Sequence, residues 1–180
     1  ASTANPGVPK PATVREIAFR ETLSIASPEH GRMDLQLSGN AALVTASSSG
    51  LGKASATALA REGVDVVING RDEDRLAEAR SEIESVAAGE VVAQPGDLTD
   101  PADVETLVET TVAEFGGLDH LVTSAGGPPS GSFLDTDDED WQAAYDLLVM
   151  SVVRLARAAE PHLRGGDGGT IVNITSRSAV

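Results

Sequence analysis

Thr45-Ala46-Ser47-Ser48-Ser49-Gly50-Leu51-Gly52 is the stretch of this chain best suited to binding an anion. It is small, rich in hydroxyls and carries two glycines. It follows the apolar run Ala41-Ala42-Leu43-Val44 and precedes a helix-forming segment that begins at Lys53. A small-residue loop at such a junction brings backbone N–H groups and the positive end of a helix to one point, which is how a doubly wound fold holds a dinucleotide pyrophosphate. Gly50 lets the backbone approach a phosphate, and Gly52 lets the helix pack close to the sheet. A phosphate-hydrolysing loop is excluded. It needs glycine where Ser47 stands and serine or threonine where Ala54 stands. His30, His120 and His162 have no ligand-like spacing and the chain has no cysteine, so no metal site is expected.

The elements that must position this loop alternate along the chain. Strands are predicted over 41–46, 64–69, 90–94, 118–123 and 170–174. Helices are predicted over 53–62, ended by Gly63, and over 73–86, with Leu76, Ala79, Ile83 and Val86 on one face. A third helix runs over 101–115, with Thr99 or Asp100 as its cap and Pro101 in its first turn; Gly116-Gly117 stops it. A long one covers 138–163. Strands alternating with helices give an α/β fold with a parallel sheet covered on both faces, doubly wound by right-handed crossovers. Residues 1–33 read differently. The first 12 look disordered, Thr13-x-x-Glu16 could cap a short helix, and the folded pattern starts near residue 34. A flexible tail and a misassigned start ahead of Met33 both fit.

Composition narrows the function classes. The formal charge is −15, from 28 acidic and 13 basic residues, so nucleic-acid binding through a basic face is not expected. All basic residues except Lys10 and Lys53 are arginine. Adaptation to high salt and a GC-rich genome both account for that balance. No apolar run approaches the roughly 18 residues that span a membrane. The lack of cysteine suits a reducing interior, and a cytoplasmic location is expected.

Residues 33–180 resemble the short-chain dehydrogenase/reductase family. The nucleotide loop of that family reads T-G-x-x-x-G-x-G, and here Ala46 replaces its first glycine. The same order is kept by Asn69-Gly70-Arg71, Gly96-Asp97-Leu98-Thr99, Ser124-Ala125-Gly126, Trp141 and Ile171-Val172-Asn173-Ile174-Thr175-Ser176. The resemblance implies a nicotinamide dinucleotide cofactor held by Thr45, Ser47, Ser48, Ser49, Gly50, Leu51 and Gly52. It places Asp97 and Leu98 at the adenine, and Ser124, Ala125 and Gly126 along the cofactor. A carboxylate ending the second strand would accept from a ribose 2′-hydroxyl; Arg71 instead can pair with a 2′-phosphate, which favours NADP(H) over NAD. Asp72 and Glu73, just beyond, could soften that preference.

Ser176 aligns with the family's catalytic serine, whose hydroxyl hydrogen-bonds a substrate carbonyl or alcohol. The family also uses a Tyr with a Lys four residues on, in the helix after strand five. The lysine lowers the phenol's pKa for proton transfer. Here the one tyrosine is Tyr145, followed at that spacing by Val149 on an earlier helix, so it reads as core. The family's relay asparagine falls at Leu148. The stripe Trp141, Tyr145, Leu148, Val152, Leu155 and Ala159 reads as buried, partly across a homo-oligomer interface that the resemblance implies. Two readings stay open: a C-terminally truncated oxidoreductase acting on a carbonyl or secondary alcohol, such as a 3-oxoacyl thioester, or a dinucleotide-binding protein or fragment without turnover.

Overall fold

The computed structural model describes residues 34–127, 131–132, 134–163 and 168–176. Residues 1–33 lie outside the described residues, as do Pro128-Pro129, which the sequence offers with Gly126-Gly127 as a lining of the substrate entrance, and Ser178, which it offers beside Thr175 as a lesser substitute for Ser176. Leu35–Val180 forms a compact unit of its own.

Five strands build one parallel sheet: β1 (Ala41–Val44), β2 (Asp65–Gly70), β3 (Val91–Pro95), β4 (His120–Thr123) and β5 (Thr170–Asn173). Their order is β3-β2-β1-β4-β5, so the winding reverses between β1 and β4. That reversal opens a crevice at the carboxyl ends of the strands, where open α/β sheets bind ligands. β1, β2 and β4 read as nearly continuous apolar runs because both their faces are covered. Alternate residues then enter opposite cores. Ala42, Val44, Val66 and Ile68 meet Ala56, Ala60, Leu76 and Ile83 on one face. Leu43, Val67 and Leu121 meet Val104, Leu107, Leu155 and Ala159 on the other.

The helices are α1 (Gly50–Arg61), α2 (Glu73–Glu84), α3 (Pro101–Phe115), α4 (Asp138–Tyr145) and α5 (Ser151–Leu163). Asp72 caps α2 by accepting from the Arg75 amide, and Asp137 caps α4 through the Asp140 amide. Asp100, rather than Thr99, caps α3 through the Ala102 amide at 2.8 Å. α1 begins three residues earlier than the pattern predicts, so Gly50, Leu51 and Gly52 form its first turn. Glycine propensity argues for a loop there, but packing of the turn against β1 overrides it.

The predicted 26-residue helix over 138–163 is interrupted by a π turn, Asp146–Met150, between α4 and α5. A π turn inserts an extra residue and rotates the preceding helix relative to the succeeding one. The predicted stripe is therefore split. Leu155 and Ala159 are buried, but Trp141, Tyr145 and Leu148 are exposed. Tyr145 is 51% exposed and is not core in this chain. The unbroken 3.6-residue period expected over 138–163 is not kept, and Trp141, Tyr145 and Leu148 form apolar surface on the single chain. The buried Ser151 hydroxyl donates to the Leu147 carbonyl at 2.5 Å, satisfying an acceptor beside the altered ladder. β5 is exposed along its whole length, with Ile171 and Val172 on the surface. No helix among the described residues is long and apolar enough to cross a membrane.

Candidate functional site

The turn from β1 into α1 is built by hydrogen bonds that tie it to neighbouring strands. The Thr45 hydroxyl donates to the Ser124 carbonyl at 2.7 Å and accepts from the Ser124 amide at 3.0 Å, joining the turn to the end of β4. Ser47 faces inward as well. Its amide donates to the Asn69 carbonyl at 2.7 Å, and its hydroxyl donates to the Val44 carbonyl and accepts from the Asn69 amide. Both residues are completely buried. Thr45, expected among the cofactor-holding residues, and Ser47, expected in the phosphate loop, thus use their side-chain hydroxyls to shape the turn. Their side chains do not point to the crevice, because the buried strand ends need these hydrogen bonds more than the surface does.

Asn69 is the residue that sequence reasoning passed over. It is 1% exposed. Its Oδ1 accepts from the Ala46 amide at 3.3 Å, and its Nδ2 donates to the carbonyls of Gln94 and Gly96 at 3.3 and 3.0 Å. One amide side chain therefore ties the β1 turn to the ends of β2 and β3. Its place next to Gly70-Arg71 was visible in the sequence, but its partners are 23 to 27 residues away.

Ser49, Gly50 and Leu51 are exposed and Ser48 is half-buried, while Gly52 is buried. A helix leaves its first four amides without partners inside the helix, and the N-cap Ser49 side chain caps none of them here. A Cβ on Gly52 would lie 2.4 Å from the Ala46 carbonyl oxygen. Only glycine permits this approach of helix to turn. Gly50 has φ +59° with open space around it, and Leu51 is 68% exposed beside it.

Ala46 has φ 47°, in the left-handed region. That accounts for glycine at this position in the resembled loop, because a Cβ costs about 1–2 kcal/mol there. Ala46→Gly relieves that strain, while glycine's greater freedom in the unfolded chain removes part of the gain. A net stabilisation of about 0.5 kcal/mol is expected, read as a raised urea midpoint at unchanged m-value. A lower midpoint would show that the methyl's packing outweighs the strain.

Beyond the β2 end, Arg71 projects from the protein with its side chain 75% exposed and one guanidinium nitrogen 3.9 Å from the Asp97 carboxylate. Arg71, Pro95, Gly96, Asp97 and Asp103 line an open depression of about 390 Å³. A Cβ on Gly70 would lie 3.1 Å from the Ser48 side chain, so the β1–α1 turn passes close to the backbone that precedes Arg71. Asp72 serves α2 as its cap, which orients its carboxylate toward that helix's amides.

The Asp97 carboxyl is held below its ordinary value of 3.8 by the Thr99 amide, helped by the Thr99 hydroxyl and Arg71 and opposed by burial. Both Thr99 donors lie within 2.9 Å of Asp97 Oδ1. A depressed folded pKa gives stability that is present above the unfolded value and lost as pH falls through the folded one. Unfolding free energy should therefore decline below about pH 4 with a contribution that Asp97→Asn abolishes. Equal acid slopes in the two proteins would refute it. The effect is small because the group is substantially exposed.

Leu98 is buried in the second core and anchors this loop. Ser124 and Ala125 follow β4, half-buried, and Gly126 is exposed. Ser176 lies on the surface three residues beyond β5, at the same end of the sheet as the turn. The Thr123 hydroxyl donates to Asn173 Oδ1 at 2.7 Å and holds the ends of β4 and β5 together below it. Among the described residues no three His, Asp or Glu side chains gather as a metal site.

A parallel sheet with its reversal beside an uncapped helix N-terminus and a tight small-residue turn defines a doubly wound dinucleotide-binding fold. The short chain dehydrogenase family matches residues 40–180, and the chain belongs to that family. It is 38% identical over 144 residues to an uncharacterised oxidoreductase of Staphylococcus saprophyticus, covering 80% of this chain and 62% of that protein. It is 37% identical over 159 residues to an indene-carboxyl-CoA reductase of Mycobacterium tuberculosis, covering 86% and 59%. The crystal structure of L-sorbose reductase from Gluconobacter frateurii, complexed with NADPH and L-sorbose, superposes with a TM-score of 0.74 at 39% identity, covering 78% and 54%. The chain thus spans about three-fifths of the length of the curated relatives it matches.

Proposed function

We propose that this chain binds NADP(H) at the carboxyl ends of β1, β2 and β3, as the cofactor-holding part of an oxidoreductase acting on a carbonyl or secondary alcohol. The observation that carries this is the nearness of two anion-seeking features: the uncapped first turn of α1, and the exposed Arg71, whose preceding residue Gly70 lies close to Ser48 of the turn. The amides of Gly50, Leu51 and Gly52, with the Ser48 and Ser49 hydroxyls, would hold the pyrophosphate. Arg71 would hold the 2′-phosphate by charge-assisted hydrogen bonds. Asp97 and Leu98 would border the adenine, and Ser124, Ala125 and Gly126 the remainder of the cofactor. The nicotinamide, when bound, supplies or accepts the hydride. Ser176 would donate its hydroxyl hydrogen bond to the substrate oxygen, where negative charge develops during reduction.

The M. tuberculosis relative is named for a CoA thioester and the G. frateurii structure holds a sugar. A 3-oxoacyl thioester is the substrate class we favour, with a sugar or simple alcohol as the alternative. A homo-oligomer is the expected assembly of the whole protein, and the exposed Trp141, Tyr145 and Leu148 are available to it.

Binding is tested directly by thermal unfolding with each dinucleotide. At about 100 times its Kd, a ligand of the native state adds about 2.7 kcal/mol of stability. NADPH is expected to raise the melting temperature more than NADH does. Equal and negligible shifts would remove the cofactor reading. A second reading, dinucleotide binding without turnover, is favoured by Leu148 on the π turn. Intact mass and C-terminal sequence of the protein in its source cells decide between the two. A longer chain with Tyr-x-x-x-Lys supports the enzyme, and its absence supports the binder.

A further inference from the structure

The loop that carries Asp97 is held from a second direction by a residue far away in sequence. Arg154, on α5, donates from one guanidinium nitrogen to the Thr99 carbonyl at 3.1 Å. Its other nitrogen lies 3.6 Å from Asp146 Oδ1, at the start of the π turn. Gln142 of α4 donates to the second Asp146 oxygen at 3.1 Å. Thr99 in turn gives both its amide and its hydroxyl to Asp97 Oδ1. A continuous chain of hydrogen bonds and one ion pair therefore runs from α4 through Asp146, Arg154 and Thr99 to Asp97.

We propose that Arg154 is a positioning residue: by holding Thr99 it keeps the 96–100 loop in the conformation that presents Asp97 to a bound adenosine. The inference rests on the cofactor reading. From the α3 side the loop is held by the Asp97 amide on Asp103 Oδ2 and by the Asp100 amide on the Asp97 carbonyl. Neither bond restrains the Thr99 carbonyl. That restraint comes from Arg154, whose planar fork serves Thr99 and Asp146 at once, a geometry an ammonium cannot reproduce. Its side chain is 25% exposed, so most of it is held by packing.

The test uses the full chain with NADPH and with adenosine 2′,5′-bisphosphate as probes, alongside hydrogen exchange of the amides of residues 97–100. Arg154→Ala is expected to weaken both probes by the same factor, about five- to tenfold, and to speed exchange in the loop. Arg154→Lys should recover part of the affinity. Arg157→Ala, one turn on and exposed, should change neither readout. Should Arg154→Ala fail to fold, Asp146→Asn loosens the guanidinium from its other side and should give a smaller change in the same direction. A lower melting temperature with unchanged affinity makes Arg154 merely structural and overturns the proposal. If the unmodified chain binds neither probe, the cofactor reading itself falls; unchanged loop exchange in Arg154→Ala then overturns the hold on Thr99 as well.

Discussion

Asn69→Ala is expected to cost about 2–3 kcal/mol of stability. The Ala46 amide and the carbonyls of Gln94 and Gly96 lose one partner together, in a place where the side chain is 1% exposed. Each buried polar group left unpaired costs about 1–3 kcal/mol, and entry of water into the vacated space offsets part of that sum. In a unit of this size the melting temperature should fall by about 5–10 °C. The β1 turn would be freed at Ala46, so dinucleotide affinity should fall with it. Asn69→Asp sharpens the test. Near neutral pH a carboxylate would face the Gln94 and Gly96 carbonyls, acceptor against acceptor, and should cost more than alanine. Its folded pKa would be raised, so the deficit should shrink as pH falls toward that value. A loss below about 1 kcal/mol for Asn69→Ala, measured by urea unfolding, would show that the three strand ends hold together without it.

Arg71→Asp should produce the largest change in ligand preference. It removes the cation available to a 2′-phosphate and places a like charge near it. NADPH affinity is expected to fall about a hundredfold. NADH should bind as well as before or better, because a carboxylate ending β2 accepts from the ribose hydroxyls. Arg71→Ala should lose about tenfold for NADPH and little for NADH. Asp97, 3.9 Å away, reduces the effective charge of Arg71 but does not cancel it, since both groups are well exposed. Affinity for NADPH should also fall with salt in the parent and less so in Arg71→Ala. Fluorescence titration of the two cofactors checks all of this. Equal losses for NADPH and NADH would assign Arg71 to the loop's fold instead of to the 2′-phosphate.

Much of the architecture is legible in the chain. The apolar runs at 41–44 and 66–68 can be buried on both faces only in a sheet with two layers around it. Asp100-Pro101 marks the start of α3, and Gly116 ends it with φ +79°. The family of Ser48 to Gly52 and Arg71 could be recognised from their order alone. The inward hydrogen bonds of Thr45 and Ser47 were not legible, because a hydroxyl in a small-residue turn looks the same in sequence whether it faces crevice or core. The π turn was missed because 146–150 carries no residue that marks a shift from four- to five-residue hydrogen bonding.

Local chemistry determined by itself what these residues are able to do: make strands and helices in alternation, form a tight turn, offer an amide-rich helix end and place an arginine after β2. The tertiary structure decided which of them meet. Asn69 joins β1 to β3, Ser48 fills the space that a Gly70 side chain would need, and Arg154 reaches Thr99 across 55 residues. Such pairings depend on how the sheet is ordered and how α5 crosses α3. A periodic pattern fixes the face on which a residue lies, but only packing fixes the neighbour that it finds there.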